Sequence, residues 1–118
     1  MNNLDITAAS LMAEWESIQR QLEPLFRARD FKSTNQWMEK GINLFLQFLY
    51  LTNDETFIPH NQITLNQFPF KPVNLEERLG FIKSRPGLYH SYRQLSELMI
   101  EQEKQFVKGN IVKKSSRT

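Results

Sequence analysis

The chain contains no cysteine. That excludes disulfides, thiolate metal sites and cysteine nucleophiles, and it fits a reducing cytosol. Glycine is scarce, at four residues, and these form neither Gly-x-Gly-x-x-Gly nor a Walker-type run. No loop is therefore built to cradle phosphate. Histidine occurs twice, at His60 and His90, with no second ligand at helical spacing from either. Glu-x-x-His and His-Glu-x-x-His are both absent, which removes the usual carboxylate-bridged di-metal bundle and the common zinc-protease arrangement. Both histidines read as exposed or hydrogen-bonded loop residues rather than catalytic bases. No long apolar run exists either. The most apolar stretch, residues 42–51, includes Asn43 and Gln47. It is about half the ~20 residues a membrane span requires, so it reads as a buried core helix. Met1-Asn2-Asn3-Leu4-Asp5 has neither a basic patch nor an apolar run, so no secretory signal is expected. These absences together predict a cytoplasmic protein with no membrane association.

Carboxylates come in pairs, Glu76/Glu77 and Glu101/Glu103. Adjacent helical residues point about 100° apart, so Glu76 and Glu77 cannot share a proton as a catalytic dyad does. Serines are present, but no nucleophile elbow holds one in place. The sequence thus predicts no catalytic residue, no metal site and no cofactor, and the protein reads as a non-enzyme.

What is present is a chain of 118 residues, the size of one domain. At this length roughly 65% of the unfolded surface can be buried without a disulfide or metal. The net charge of +2 conceals an asymmetry. Residues 1–58 hold five Lys/Arg against eight Asp/Glu, and residues 59–118 hold ten against five. A basic C-terminal half is a mild pointer to an acidic partner, nucleic acid included.

Apolar periodicity predicts an all-α fold, a compact bundle of about four helices with a long extended strap between the second and third. Leu4, Ala8, Leu11, Trp15, Ile18, Leu22 and Leu25 recur at alternating spacings of four and three, one stripe on a first helix. Pro24 predicts either a kink there or a short new helix from Pro24 to about Arg29. A second helix is expected to be capped by Ser33 or Thr34. Its two adjacent stripes, Trp37-Gly41-Leu44-Phe48-Leu51 and Met38-Ile42-Phe45-Leu49, mark it as the central helix. Gly41 costs about 1 kcal/mol relative to Ala in a helix interior. Either a neighbouring backbone approaches closely there or the position is a local tolerance. From Asn53 to Val73 the period disappears among Pro59, Pro69 and Pro72, while Phe57, Ile58, Ile63, Leu65, Phe68 and Phe70 remain. This is the strap, expected to lie across the helices with its aromatics tucked in. Ile63-Thr64-Leu65 alternates like a strand but has no second strand to pair with.

Asn74 with Glu77 three residues on predicts a structural capping box for helix three, which buries Leu75, Leu79 and Ile82 and ends before Pro86-Gly87. Ser91 is expected to cap helix four, with Tyr92, Leu95, Met99, Gln102 and Phe106 inward. Arg93, Glu97, Glu101, Lys104 and Lys108 then form a solvated outer face. The domain is expected to span residues 1–109, followed by a disordered basic tail over 110–118. Helix three, the Pro86-Gly87 turn and helix four superficially suggest a helix-turn-helix. The turn is too long, however, and Glu97, Glu101 and Glu103 would repel phosphates. Arg78 lies at the border of helix three's apolar stripe with no capping duty. It reads either as an internal ion pair to the acidic N-terminal half or, with Tyr89 and Arg93, as the edge of a partner-binding patch.

The run Pro72-Val73-Asn74-Leu75-Glu76-Glu77-Arg78-Leu79 leads through Phe81-Ile82 and Arg85-Pro86 to Tyr89. Then follow Ser91-Tyr92-Arg93-Gln94-Leu95, Glu97-Leu98, Glu101 and Lys104. Together with Trp37-Met38-x-x-Gly41-Ile42, Phe45-Leu46 and Leu49-Tyr50, it resembles the YpoC-like family of small bacterial proteins, over roughly residues 15 to 108. The family has no assigned activity. Its genes often lie near those for a replication-initiation protein and an endonuclease III-type repair enzyme, so the resemblance implies, at most, an accessory role in DNA metabolism. The residues themselves favour a noncatalytic helical module binding an unidentified protein partner. The alternative is a DNA-associated accessory factor in replication or repair that uses the basic C-terminal half.

Overall fold

The computed structural model describes residues 7–57 and 65–115. Helix α1 spans Ala8–Ala28. Thr7 starts it with a reciprocal cap, accepting from the Ser10 amide at 3.0 Å and donating its own amide to Ser10 Oγ at 2.9 Å. Leu11, Trp15, Ile18 and Leu22 form its buried face. Pro24 starts no second helix, because Pro24 and Arg20 both lie on the exposed side. Solvent can satisfy the Arg20 carbonyl that proline leaves without a donor. Arg29 closes the helix in the left-handed region, at φ 57°. The Asp30 amide donates to the Leu25 carbonyl and the Arg29 amide to that of Phe26, the paired bonds of a Schellman turn.

Asp30 then caps helix α2, which spans Phe31–Thr52, by accepting from the Ser33 amide at 3.1 Å. Neither Ser33 nor Thr34 is the cap. The two-residue link lets α2 begin earlier, and Thr34 is buried inside it. Both expected stripes of α2 pack inward, against α1 on one side and the last helix on the other. At Gly41 a β-carbon would lie 2.9 Å from Trp15 Cζ3 and 3.0 Å from Leu95 Cδ2. The close approach is therefore real, but it is made by side chains from two helices, not by a backbone.

Of the strap, residues 53–57 and 65–73 are described, and they do tuck aromatics in. Phe57 and Phe68 meet Tyr50 edge-on at 5.2 and 5.0 Å. Leu65–Gln67 is a single 3-10 turn. Ile58, Pro59, His60, Ile63 and most of the Ile63-Thr64-Leu65 alternation lie outside the described residues. Asn53 holds the returning strap by both amide atoms: its Nδ2 donates to the Phe70 carbonyl and its Oδ1 accepts from the Phe70 amide, each at 2.9 Å.

Helix α3 spans Leu75–Ser84 and buries Leu75, Leu79 and Ile82 as the spacing predicts. Its capping box does not form. Asn74 occupies the cap position in the left-handed region, at φ 56°, and its side chain makes no cap hydrogen bond. Glu77 is left in the first turn, where its charge complements the helix dipole. Helix α4 spans Tyr89–Ser115. Ser91 is not its cap. It sits inside the first turn, buried, and donates Oγ–H to the Arg85 carbonyl at 2.6 Å, tying the α3–α4 turn to the helix.

The helix also does not end at Gly109, so residues 110–115 are helical rather than part of a disordered tail. Residues 116–118 lie outside the described residues. Gly109 is buried against the Phe70 ring, and Lys113 Nζ donates to the Thr52 carbonyl at 2.7 Å and pairs with Asp54 at 2.9 Å. No helix among the described residues is long and apolar enough to cross a membrane.

Gly41 and Gly109, each inside a helix, make opposite predictions. In Gly41→Ala the gain in helix propensity is outweighed by displacing a packed Trp15 ring, a net loss of about 1–2 kcal/mol. At Gly109 an added β-carbon would meet the Phe70 ring at an ordinary 3.4–3.5 Å. Gly109→Ala should therefore stabilise by up to about 1 kcal/mol. Thermal melting of both variants checks this, and a Gly41→Ala protein as stable as wild type would mean that Trp15 slides freely.

Candidate functional site

Helix α4 carries the residues on which function can rest, and its circumference divides into arcs by what holds each. The inward arc is buried core, with Leu95, Leu98, Met99 and Gln102 fully covered. The Gln102 amide donates to the Phe70 carbonyl at 3.2 Å, the same carbonyl that Asn53 binds.

One flank of α4 meets α3 through Arg78. Its Nη1 and Nη2 donate to the two oxygens of Glu101 at 2.8 and 2.7 Å, a bidentate fork. Nε donates to Gln94 at 3.3 Å, Nη1 also donates to the Val73 carbonyl at 3.1 Å, and Glu97 lies 3.9 Å from Nη2. With its side chain only 18% exposed, Arg78 is thus the ion pair that its border position allowed. Its partner belongs to α4, however, and not to the acidic N-terminal half. The hydrogen bond to Glu101 raises the guanidinium pKa above its ordinary value against the opposing effect of burial.

The other flank meets α1. Tyr89 stands edge-on to Phe26 at 5.5 Å and beside Tyr92 at 5.6 Å. The buried Tyr92 hydroxyl donates to Glu23 at 2.9 Å and accepts from Gln19 at 3.4 Å. Burial, then the bond to Glu23, pushes the Tyr92 phenol up to about 12. That is the wrong direction for an acid working near neutral pH, so Tyr92 is a tie between helices. Arg93 is exposed between the two flanks. No hydrogen bond, ion pair or ring contact joins Arg78 to Tyr89 or Arg93: the three share a helix neighbourhood, and only Tyr89 and Arg93 present themselves outward.

Among the described residues no group of three His, Cys, Asp or Glu side chains is placed to hold a metal. His90 is the second residue of α4, exposed and edge-on to Phe81 at 5.5 Å. Among the described residues, two open depressions adjoin these helices. One of about 360 Å³ is lined by Glu23, Phe26, Arg27 and Tyr89, and another of about 340 Å³ by Asn35, Glu39, Ile42, Asn43, Lys83 and Pro86.

The outermost arc of α4 carries a feature that sequence reasoning missed. Ile100, Val107 and Ile111 are 51%, 55% and 61% exposed. At about 100° per residue they fall within roughly 40° of one another, opposite the buried arc. The signal was their spacing of seven and four, but charged neighbours at positions 93, 97, 101, 104 and 108 dominated the reading of that face.

Arg78→Lys keeps the charge and loses the fork. It should lower stability by about 1 kcal/mol, a few degrees in melting midpoint, and cost much less in a Glu101→Gln background. Equal cost in both backgrounds would contradict the assignment. Tyr92 predicts an alkaline limit. Its phenol ionises near 10 when unfolded and near 12 when folded. The stability it contributes is complete below pH 10 and is lost as pH rises through 12. Denaturant midpoints against pH should fall more steeply for wild type than for Tyr92→Phe, and parallel curves would contradict this.

The family model for YpoC-like protein matches residues 6–114. The "Uncharacterized protein YpoC" of Bacillus subtilis (strain 168) is 34% identical over 100 residues, 83% of this chain and 61% of that protein. The chain therefore spans about six-tenths of the length of that curated relative. No solved structure matches. A match running from the first turn of α1 to the last of α4, with a relative that keeps a third of its residues, shows that the chain belongs to the YpoC-like family.

Proposed function

We propose that this protein is a noncatalytic helical interaction module of the cytoplasm that binds a protein partner through the outer face of α4. The observation that carries the reading is the exposed row of Ile100, Val107 and Ile111. Aliphatic side chains aligned on one face of a helix gain by being covered, because burial stabilises by about 25 cal/mol per Å² of apolar surface. Tyr89 and Arg93, residue types enriched at protein interfaces, lie on the same side of the helix. Arg78 then serves the surface indirectly, by holding α4 against α3.

A second reading, a DNA-associated accessory factor, is favoured by one observation: Arg93, Lys104 and Lys108 are exposed on that side too. Glu97 and Glu103 stand exposed among them and repel phosphate, so the protein-binding reading is the stronger.

Ile100→Asp and Val107→Asp alter exposed positions, and the melting midpoint should stay within a degree or two of wild type. Affinity capture from a native extract, compared between wild type and these variants by mass spectrometry, should show a defined protein lost from both. Identical captured sets would contradict the proposal. A short duplex tests the second reading: DNA binding would weaken about tenfold or more between roughly 50 and 200 mM salt, and no binding at low salt removes it.

A further inference from the structure

We infer that the partner seated on the α4 face is a second copy of this chain, docked antiparallel so that Ile100 of each copy meets Ile111 of the other. The inference rests on the reading of that face as an interaction surface and names its occupant. Charge order along the helix selects this occupant. From Glu97 onward, past the exposed Arg93 of the first turns, the outer side of α4 is acidic first, at Glu97 and Glu103, and basic afterwards, at Lys104, Lys108 and Lys114. A parallel pair would set acid beside acid and base beside base. A two-fold antiparallel pair sets the acidic half of each copy against the basic half of the other, which is the self-complementarity that an isologous interface requires.

The spacing supports a single register. Glu97, Ile100, Lys104, Val107, Ile111 and Lys114 are separated by alternating steps of three and four, the spacing of a seam between two helices. When Ile100 faces Ile111, the same alignment places Glu97 opposite Lys114 and Val107 opposite the aliphatic stem of Lys104. Glu103 comes level with Lys108 of the other copy. Each apolar residue is thus covered by an apolar surface and each exposed acid of the seam by a base. The seam runs about 27 Å along one helix of each copy. One helix per copy buries less than the ~800 Å² per partner of a stable complex, so the dimer is weak, with a Kd in roughly the 100 μM range.

Sedimentation equilibrium of the full chain from about 10 μM to 1 mM tests this, since that range brackets the expected Kd. The mass average should climb from monomer toward dimer. Ile111→Asp should remain monomeric with an unchanged melting midpoint. Glu97→Lys and Lys114→Glu alone should each weaken association about tenfold, and the two combined should restore it to within about threefold of wild type. A chain that stays monomeric at the highest concentration overturns the inference, as does a dimer indifferent to Ile111→Asp or a charge exchange that restores nothing. If self-association is absent while Val107→Asp still loses a captured protein, self-pairing fails and the α4 face remains a docking site for a different protein. If the exchange rule holds and native copies of this chain are what the Val107→Asp variant fails to capture, the second copy is the occupant of the face.

Discussion

Three helices meet at an atom that is not there. Gly41 lacks a β-carbon, and the Trp15 ring from α1 and the Leu95 side chain from α4 come to about 3 Å of where it would sit. An α2 with any larger residue at this point would hold its neighbours farther off, and the seating of α4 over the α1–α2 hairpin would change. The roughly 1 kcal/mol that glycine costs in a helix is offset by the dispersion contacts that this approach allows. Because α4 is seated here, every residue along it is assigned to an inner or an outer face.

Beyond that contact, α4 is held along its length by groups that differ in chemistry. Near its start, Tyr92 reaches Glu23 and Gln19 of α1. Midway, Glu101 receives the Arg78 fork from α3. Toward its end, Gln102, Gly109 and Lys113 engage the strap and the end of α2 through Phe70, Thr52 and Asp54. Polar ties at both flanks and apolar packing between them leave one exposed arc with no neighbour among the described residues, and that arc carries Ile100, Val107 and Ile111. The functional proposals rest on this contrast within one helix.

Much of this was legible in the sequence where periodicity governs. The stripes of α1 and α2, the buried Leu75, Leu79 and Ile82 of α3, and the inward Tyr92, Leu95, Met99 and Gln102 of α4 all follow from which residues are apolar at helical spacing. Helix ends were less legible, because several residues can take the same role and tertiary packing chooses among them. Asp30 won the α2 cap from Ser33 and Thr34, a left-handed Asn74 turned its side chain away from capping, and Ser91 was drawn into the α3–α4 turn. Gly109 reads locally as a stop, yet Phe70, distant in sequence, packs against it and Lys113 ties down the turn beyond. Arg78 was legible as a paired arginine, but not its partner, since choosing Glu101 required knowing that α3 lies along α4. The exposed aliphatic row was in plain view and was masked by the charges interleaved with it.

Ile100 and Ile111 belong to one continuous face only because α4 is a single helix anchored on its inner side past Gly109. Residue-resolved amide hydrogen exchange tests this most directly. Protection should continue unbroken from about Leu95 through Gly109 and still be measurable at Val112 and Lys113, where the bonds to Thr52 and Asp54 hold the last turns. Protection that ends at Gly109, with residues 110–115 exchanging as fast as an unstructured peptide, would contradict it.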